Sequence, residues 1–196
     1  MAAIDVDLPP WWLDEDTDVT WQVWNFYTSD TDFVEPDSVG FDSLLGTHIT
    51  ISPQTEWLQD YNPFVYYGIA GGEGIWNLSG GSINAFVENY DQPGTEKIWI
   101  QITWQPQQQD NHPVIYVDDP LGGTGPVTDP VIETLLENNW IHSTYEITLN
   151  YNPPFETIRI EGFIYVDDLV IDTLSIPEPA MICLLAAGWM IFRKRK

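Results

Sequence analysis

The chain has 196 residues, 43% hydrophobic and 14% aromatic, so its composition fits one folded domain and excludes a disordered chain. Thirty acidic residues outnumber six basic ones, giving a formal net charge of -24 at pH 7. This charge excludes nucleic-acid binding, because phosphate contacts depend on Lys and Arg displacing counterions.

Short alternating segments separated by turns fill the chain from about residue 5 to residue 174. Ile98, Ile100, Ile102 and Trp104 recur with the period of two that places them on one face of a strand. Gly, Pro, Asp and Asn separate the segments, which is typical of an antiparallel β-sandwich or barrel. The predicted strands are 20–27, 48–51, 64–67, 74–78, 82–87, 97–104, 140–149, 156–160 and 163–171.

One segment is ambiguous between helix and strand. Pro130 follows Asp129 and begins a run that ends at Glu137. A proline in the first turn after an acidic cap favours a helix, but the run is short enough to be a strand. Both alternatives stay open.

The segment 163–172, Phe-Ile-Tyr-Val-Asp-Asp-Leu-Val-Ile-Asp, resembles the last strand of jelly-roll sandwiches of the galactose-binding or carbohydrate-binding-module type. The resemblance implies that Asp167 and Asp168 interrupt the final strand. They are either a β-bulge with its carboxylates in solvent or candidate metal ligands.

Acidic clusters in predicted loops offer the hard oxygen ligands that Ca²⁺ prefers. None matches the EF-hand loop, and solvated loop charge is the alternative for each. The candidate metal ligands are Asp14, Asp16, Asp18, Asp167 and Asp168, with further acids at Asp30, Asp32, Glu35, Asp37, Asp118 and Asp119. Ca²⁺ is therefore the cofactor that the sequence allows, and no other is indicated.

Ten tryptophans supply flat apolar faces of the kind that stack on sugar rings. We expect carbohydrate contact from those that flank turns or lie opposite the predicted core face. These candidates are Trp11, Trp12, Trp57, Trp76 and Trp99. Packing in the core is the alternative for each.

No catalytic constellation is recognisable. His48, His112 and His142 lack metal-ligand spacing. His142 and Ser143 are adjacent on a predicted strand, so their side chains point to opposite faces and do not form a nucleophile–base pair. The sequence predicts a protein that is not an enzyme, with a glycosidase-like pair of carboxylates as a less favoured alternative.

The C-terminal 21 residues have three parts in order. Pro177-Glu178-Pro179 interrupts the last strand, and an uncharged run of thirteen residues follows. This run favours a short helix of about 20 Å, less than the roughly 30 Å hydrocarbon core of a bilayer. Its membrane-anchor residues include Ala180, Leu184, Leu185, Gly188 and Phe192, with Cys183 as a small apolar neighbour.

The chain ends in a basic cluster that is typical of a stop at the cytoplasmic membrane face. The cluster is Arg193, Lys194, Arg195 and Lys196. Pro-Glu-Pro, an apolar helix and terminal basic residues together resemble the PEP-CTERM sorting signal of Gram-negative-type bacteria that have an exosortase. The resemblance implies export, a membrane-anchored intermediate, processing by an exosortase-type protease, and delivery to the cell surface or exopolysaccharide matrix.

The N-terminus departs from that family, whose members begin with a secretion signal. Met1, Ala2 and Ala3 lead directly into acidic sequence without an apolar region. The small residues are typical of the end of a cleavage site. Our hypothesis is that translation begins upstream of Met1, which terminal peptides of the native protein would test.

These observations predict one acidic, aromatic-rich antiparallel β-sandwich, jelly-roll-like, over residues 5–175, and a sorting tail with a short hydrophobic helix over residues 176–196. The predicted function is a non-enzymatic surface or matrix protein that binds exopolysaccharide. The alternative is a structural or adhesive surface protein with loops stabilised by Ca²⁺ and no small ligand.

Overall fold

A computed structural model describes residues 18–26, 29–39, 46–59, 74–89, 94–120 and 122–177. These ranges form antiparallel strands and a 3-10 turn at Glu137–Asn139. The strands are β1 (Asp18–Trp24), β2 (Ser38–Val39), β3 (His48–Ile51), β4 (Glu56–Gln59), β5 (Gly74–Asn77), β6 (Ser82–Glu88), β7 (Gly94–Pro106), β8 (Val114–Asp118), β9 (Ile132–Leu135), β10 (Ile141–Leu149), β11 (Phe155–Glu161) and β12 (Ile164–Pro177).

Two sheets account for all of these strands. The larger has the order β2-β1-β12-β7-β10-β9, and β5 pairs with both β12 and β4. The smaller has the order β3-β6-β11-β8. The prediction of an all-β antiparallel sandwich is confirmed, whereas the predicted C-terminal helix lies outside the described residues.

The core lies between the sheets and follows the alternation of the strands. Ile98, Ile100, Ile102 and Trp104 of β7 are fully buried, as predicted from their spacing. Alternate residues of β6, β10 and β11 join them in one cluster. Each fully buried Ile contributes roughly 1.5–3 kcal/mol relative to an exposed one, so this cluster sets which face of each strand turns inward.

The ambiguous segment after Pro130 is a strand, so the helix alternative is wrong. Residues of β9 pair with the edge of β10, with Leu135 opposite Ile141 and Ile132 opposite Thr144. The β9 side chains are exposed, and Leu135 keeps 72% of its surface accessible. Pairing with the edge of β10 satisfies the backbone hydrogen bonds of this segment. The segment therefore needs no apolar face to bury, as a helix packed on the domain would.

A β-bulge interrupts β12 where the sequence has two adjacent acids. The register to β7 shifts between Val166 and Asp168, which leaves Asp167 in the bulge. Before the shift Ile164 is buried in the core, and after it Leu169 is buried there. Since the side-chain period is two, the extra residue keeps both halves of the strand facing the core.

The last strand extends slightly beyond the predicted domain boundary. Ile176 pairs with Thr95, and Pro177 pairs with Gly94 at the end of the ladder. Glu178, Pro179 and the predicted helix and basic cluster of residues 180–196 lie outside the described residues. Within the described ranges no helix is both long enough and apolar enough to cross a membrane.

Candidate functional site

A surface cleft lies at one end of the sandwich, where three connections meet. These are the turn between β5 and β6, the connection between β7 and β8, and the hairpin between β11 and β12. The cleft has a volume of about 460 Å³. Its lining residues are Gly80, Asp110, Asn111, His112, Val114, Glu161, Gly162 and Phe163, and we refer to it as the Phe163 cleft.

The aromatic ring of Phe163 is exposed although its backbone is held firmly. Its side chain keeps 56% of its surface accessible. Its carbonyl oxygen accepts hydrogen bonds from the Gln107 amide at 3.1 Å and from Asn111 Nδ2 at 3.0 Å. A Cβ at Gly80 would lie 3.2 Å from the ring, so the absence of a side chain there makes room for it. The Gly80 amide also donates to the Gly162 carbonyl at 3.1 Å.

Polar groups surround this ring. Asp110 and His112 are exposed, and the His112 ring packs edge-on against the buried Trp104 with centroids 5.5 Å apart. Glu161 is half-buried and accepts a hydrogen bond from Arg159 Nη1. The cleft therefore combines an apolar ring face with carboxylate, amide and imidazole groups, a combination that suits a sugar ring and its hydroxyls.

His142 and Ser143 point to opposite faces of β10, as predicted. His142 Nδ1 lies 3.0 Å from Thr103 Oγ1 on the outer face of the larger sheet. Ser143 Oγ accepts a hydrogen bond of 2.9 Å from Trp104 Nε1 on the inner face. These side chains do not meet, so they supply no nucleophile and base.

None of the predicted sugar-contact tryptophans that the structure describes lines the Phe163 cleft. Trp76 and Trp99 keep only 2% and 4% of their surfaces accessible, so their rings offer no face to a ligand and that prediction is wrong for both. Trp57 is half-buried and packs against Trp76 at a centroid distance of 5.2 Å. Trp11 and Trp12 lie outside the described residues. The core interpretation is correct for Trp76, while Trp99 packs with Leu174 in a separate small cluster.

The described part of the chain does not gather the predicted metal ligands into one site. Asp14 and Asp16 lie outside the described residues, and Asp18 is described only as the start of β1 opposite Ser175. Among the residues that the structure describes, no group of three or more His, Cys, Asp and Glu side chains is placed to hold a metal ion. Asp167 and Asp168 form the bulge instead.

Asp168 nevertheless has a perturbed environment. Burial raises the pKa of its carboxyl to about 6, against the opposing effect of hydrogen bonds from the Thr103 side chain and backbone. Since the side chain keeps some accessible surface, the energetic effect is smaller than for a fully enclosed acid. These contacts give Asp168 a structural partner on β7.

The acids of the loop before β2 line a second, smaller cavity of about 290 Å³, together with Phe33. Asp37 accepts a hydrogen bond of 2.6 Å from the Asn25 amide, and burial raises its pKa. The Phe33 ring stacks on His48 with centroids 4.2 Å apart. Because that ring face is already covered, this cavity offers a ligand less aromatic surface than the Phe163 cleft.

The cleft residues were not among the predicted sugar contacts, because ring stacking was expected from tryptophans. The signal that could have identified them is Gly162-Phe163 in the turn after β11, where an apolar ring follows a flexible residue. Gly162 has a φ of 152°, a conformation that side chains rarely adopt. A large apolar residue immediately after such a turn has few neighbours to bury it.

No protein-family model and no curated protein matches the sequence. Among solved structures, the chain is similar to the carbohydrate-binding module CBM6cm-2 from Cellvibrio mixtus lichenase 5A in complex with cellotriose. That match has 13% identity and a TM-score of 0.38, and it covers 61% of this chain and 87% of the other.

Two family 35 carbohydrate-binding modules are similar to a comparable degree. The module from Paenibacillus barcinonensis has 16% identity and a TM-score of 0.38, covering 67% of this chain and 95% of its own. The module from Clostridium thermocellum has 18% identity and a TM-score of 0.37, covering 65% and 98%. Similarity at this level assigns no function, which is therefore inferred from the cleft alone.

Proposed function

We propose that this protein is a non-enzymatic polysaccharide-binding protein of the bacterial surface or extracellular matrix, and that it binds sugar at the Phe163 cleft. The observation that carries the proposal is the exposed Phe163 ring, on a backbone held by two hydrogen bonds to its carbonyl, with Asp110, Asn111 and Glu161 lining the same cleft. An apolar ring beside groups that bond hydroxyls is the usual composition of a carbohydrate site.

The test is affinity electrophoresis of the full chain through gels containing neutral and acidic polysaccharides. We expect retardation by at least one polysaccharide and loss of most of it in Phe163→Ala. Burying a Phe side chain is worth roughly 1.5–3 kcal/mol, so the affinity should fall about tenfold or more. Phe155→Ala is the matched control, because Phe155 is 38% exposed on the smaller sheet away from the cleft.

Two results would reject the binding proposal. One is unchanged mobility of the parent protein in every polysaccharide. The other is equal retardation of Phe163→Ala and the parent. Release of reducing ends from the bound polysaccharide, measured on the same samples, would instead reject the non-enzymatic part of the proposal.

The surface location is supported by the resemblance of residues 176–196 to a sorting signal. Intact mass and terminal peptides of the protein from fractionated native cells test it. A chain that ends near Pro177 supports sorting by an exosortase-type protease at the membrane. A protein inside the cell that keeps Arg193–Lys196 would reject it.

A further inference from the structure

Acidic side chains are buried between the sheets at the end of the sandwich opposite the Phe163 cleft. Glu96 near the start of β7 lies on the same face as the core residue Ile98. Glu156 near the start of β11 lies on the same face as the core residue Ile158. Both glutamates have 0% accessible surface. Two positions of the apolar pattern, one on each sheet, are therefore occupied by carboxyl groups that face the interior.

Asn89 follows β6 and lies beside both glutamates. It is 4% accessible, and its Nδ2 donates to the Pro153 carbonyl at 3.2 Å and to Glu156 Oε2. These two bonds use both amide hydrogens, and the amide is also close enough to Glu96 to oppose the rise in its pKa. We call Glu96, Glu156 and Asn89 the acid layer.

Among the residues that the structure describes, four buried oxygen atoms of the acid layer have no hydrogen-bond donor. They are Glu96 Oε1, Glu96 Oε2, Glu156 Oε1 and Asn89 Oδ1. A buried acceptor without a partner costs roughly 1–3 kcal/mol, and more when it is charged. Four such acceptors in one place indicate that a donor or cation completes the arrangement.

The raised pKa values of the two glutamates also indicate that a donor or cation would stabilise the acid layer. Burial raises the pKa of Glu96 to about 8, with Asn89 opposing the shift and the charge of Asp119 adding to it. Burial and the charge of Glu96 raise the pKa of Glu156 well above its ordinary value. In the described part of the chain, neither glutamate forms an ion pair with a basic side chain.

Asp119 lies at the edge of the layer and is already bonded. Its Oδ2 accepts hydrogen bonds from the Gly123 amide at 2.7 Å and from the Tyr151 hydroxyl. Burial and this bond raise the pKa of Tyr151 to about 12, so the hydroxyl keeps the proton that it donates. Asp119 therefore adds negative potential near the layer without supplying one of the four open oxygens.

We propose that the acid layer binds a calcium ion through the Glu96 and Glu156 carboxylates and the Asn89 Oδ1, with water completing the coordination. Calcium accepts six to eight oxygen ligands in irregular arrangements, and carboxylate and amide oxygens are its usual protein ligands. The ion joins the two sheets directly, because one glutamate comes from each sheet. This inference is independent of sugar binding at the other end of the sandwich.

The test is calorimetric titration of the full chain, stripped with chelator, with CaCl₂, together with thermal unfolding in CaCl₂ and in chelator. We expect one site and a rise in Tm of roughly 5 °C or more at a calcium concentration about 100 times Kd. Glu96→Gln and Glu156→Gln keep the shape of the side chain but remove a charged ligand. Each should weaken binding at least about tenfold.

Glu56→Gln is the matched control, because Glu56 is an exposed residue of β4, and it should bind calcium as the parent does. Phe163→Ala should also keep the full calcium response, which separates this site from the cleft. Each Gln variant should unfold in chelator at a Tm equal to or above that of the parent, since it replaces a buried carboxyl that is costly to ionise with a neutral amide. A Tm in this range would show that the weaker calcium binding of a Gln variant does not come from a failure to fold.

The proposal is overturned if calcium gives neither heat nor a change in Tm, which would indicate that protons alone neutralise the acid layer. It is also overturned if calcium binds and both Gln variants retain the affinity of the parent. In that case the ion occupies another site.

Discussion

At the cleft end of the sandwich an aromatic ring is exposed and the polar groups beside it reach solvent, whereas at the opposite end carboxyl groups are buried between the sheets. Phe163 would be more stable inside, and Glu96 and Glu156 would be more stable outside. Both ends depart from the pattern that folding alone favours. The two ends differ in what they leave unsatisfied: the cleft end leaves an aromatic ring in solvent, and the opposite end leaves buried oxygen atoms without a described donor.

The largest effect on stability is expected at the acid end. Asn89→Ala removes the side-chain amide that donates to Glu156 Oε2 and should lower the free energy of unfolding by about 2–3 kcal/mol, because a buried carboxyl loses this donor. Urea denaturation in chelator measures it. Asn84→Ala is the control, since Asn84 is half-buried on β6 and its bond to Ser82 Oγ is 3.2 Å long. Equal losses in the two variants would show that Asn89 has no special role between the carboxyls.

A smaller effect is expected at the turn that supports the cleft. Gly80 has a φ of 86°, and a Cβ there would press on the Phe163 ring. Gly80→Ala should cost about 1–2 kcal/mol and also weaken polysaccharide binding, because the ring must move. Gly125→Ala is the control, since nothing lies within 4 Å of the position of its Cβ. Full binding by Gly80→Ala would show that the position of the ring does not matter.

The smallest effect is expected at Asp168, in the bulge between the two ends. Its folded-state pKa of about 6 lies above the ordinary 3.8, so its contribution to stability is present below pH 3.8 and is lost as the pH rises through 6. Asp168→Asn should therefore be more stable than the parent by about 1 kcal/mol at pH 7, after allowance for partial exposure, and the two should converge near pH 4. Urea denaturation at both pH values, in chelator, measures the difference. A constant difference across this range would mean that Asp168 does not titrate there.

Much of the fold could be predicted from alternation. The segments 48–51 and 97–104 coincide with β3 and the centre of β7, because apolar residues with a period of two have one favourable orientation against a core. The strands β4 and β8 were not predicted, since Glu56–Gln59 and Val114–Asp118 are short and bounded by polar sequence. Their place is set by pairing with β5 and β11 rather than by their own composition.

The candidate sites were less predictable for a physical reason. Counting tryptophans cannot distinguish Trp76, which packs in the core, from a ring on the surface. Glu96 and Glu156 carry a clearer signal, because each continues the inward alternation of the isoleucines that follow it, Ile98 and Ile158. Their meeting could not be foreseen, since it depends on β7 and β11 lying in different sheets. Loop position and sheet assignment are tertiary properties that local patterns do not contain.

The course of β12 has a mechanical consequence. The strand lies between β1 and β7, and its pairing continues to Pro177, the last described residue. The ladder hydrogen bonds run perpendicular to the strand, so a pull on the C-terminus along the strand loads the bonds to both neighbours in shear. The bonds would then share the load instead of opening one at a time. A domain held at its C-terminal end in flowing liquid would therefore resist extraction of its final strand, and unfolding under tension would begin at a less central part of the sheet.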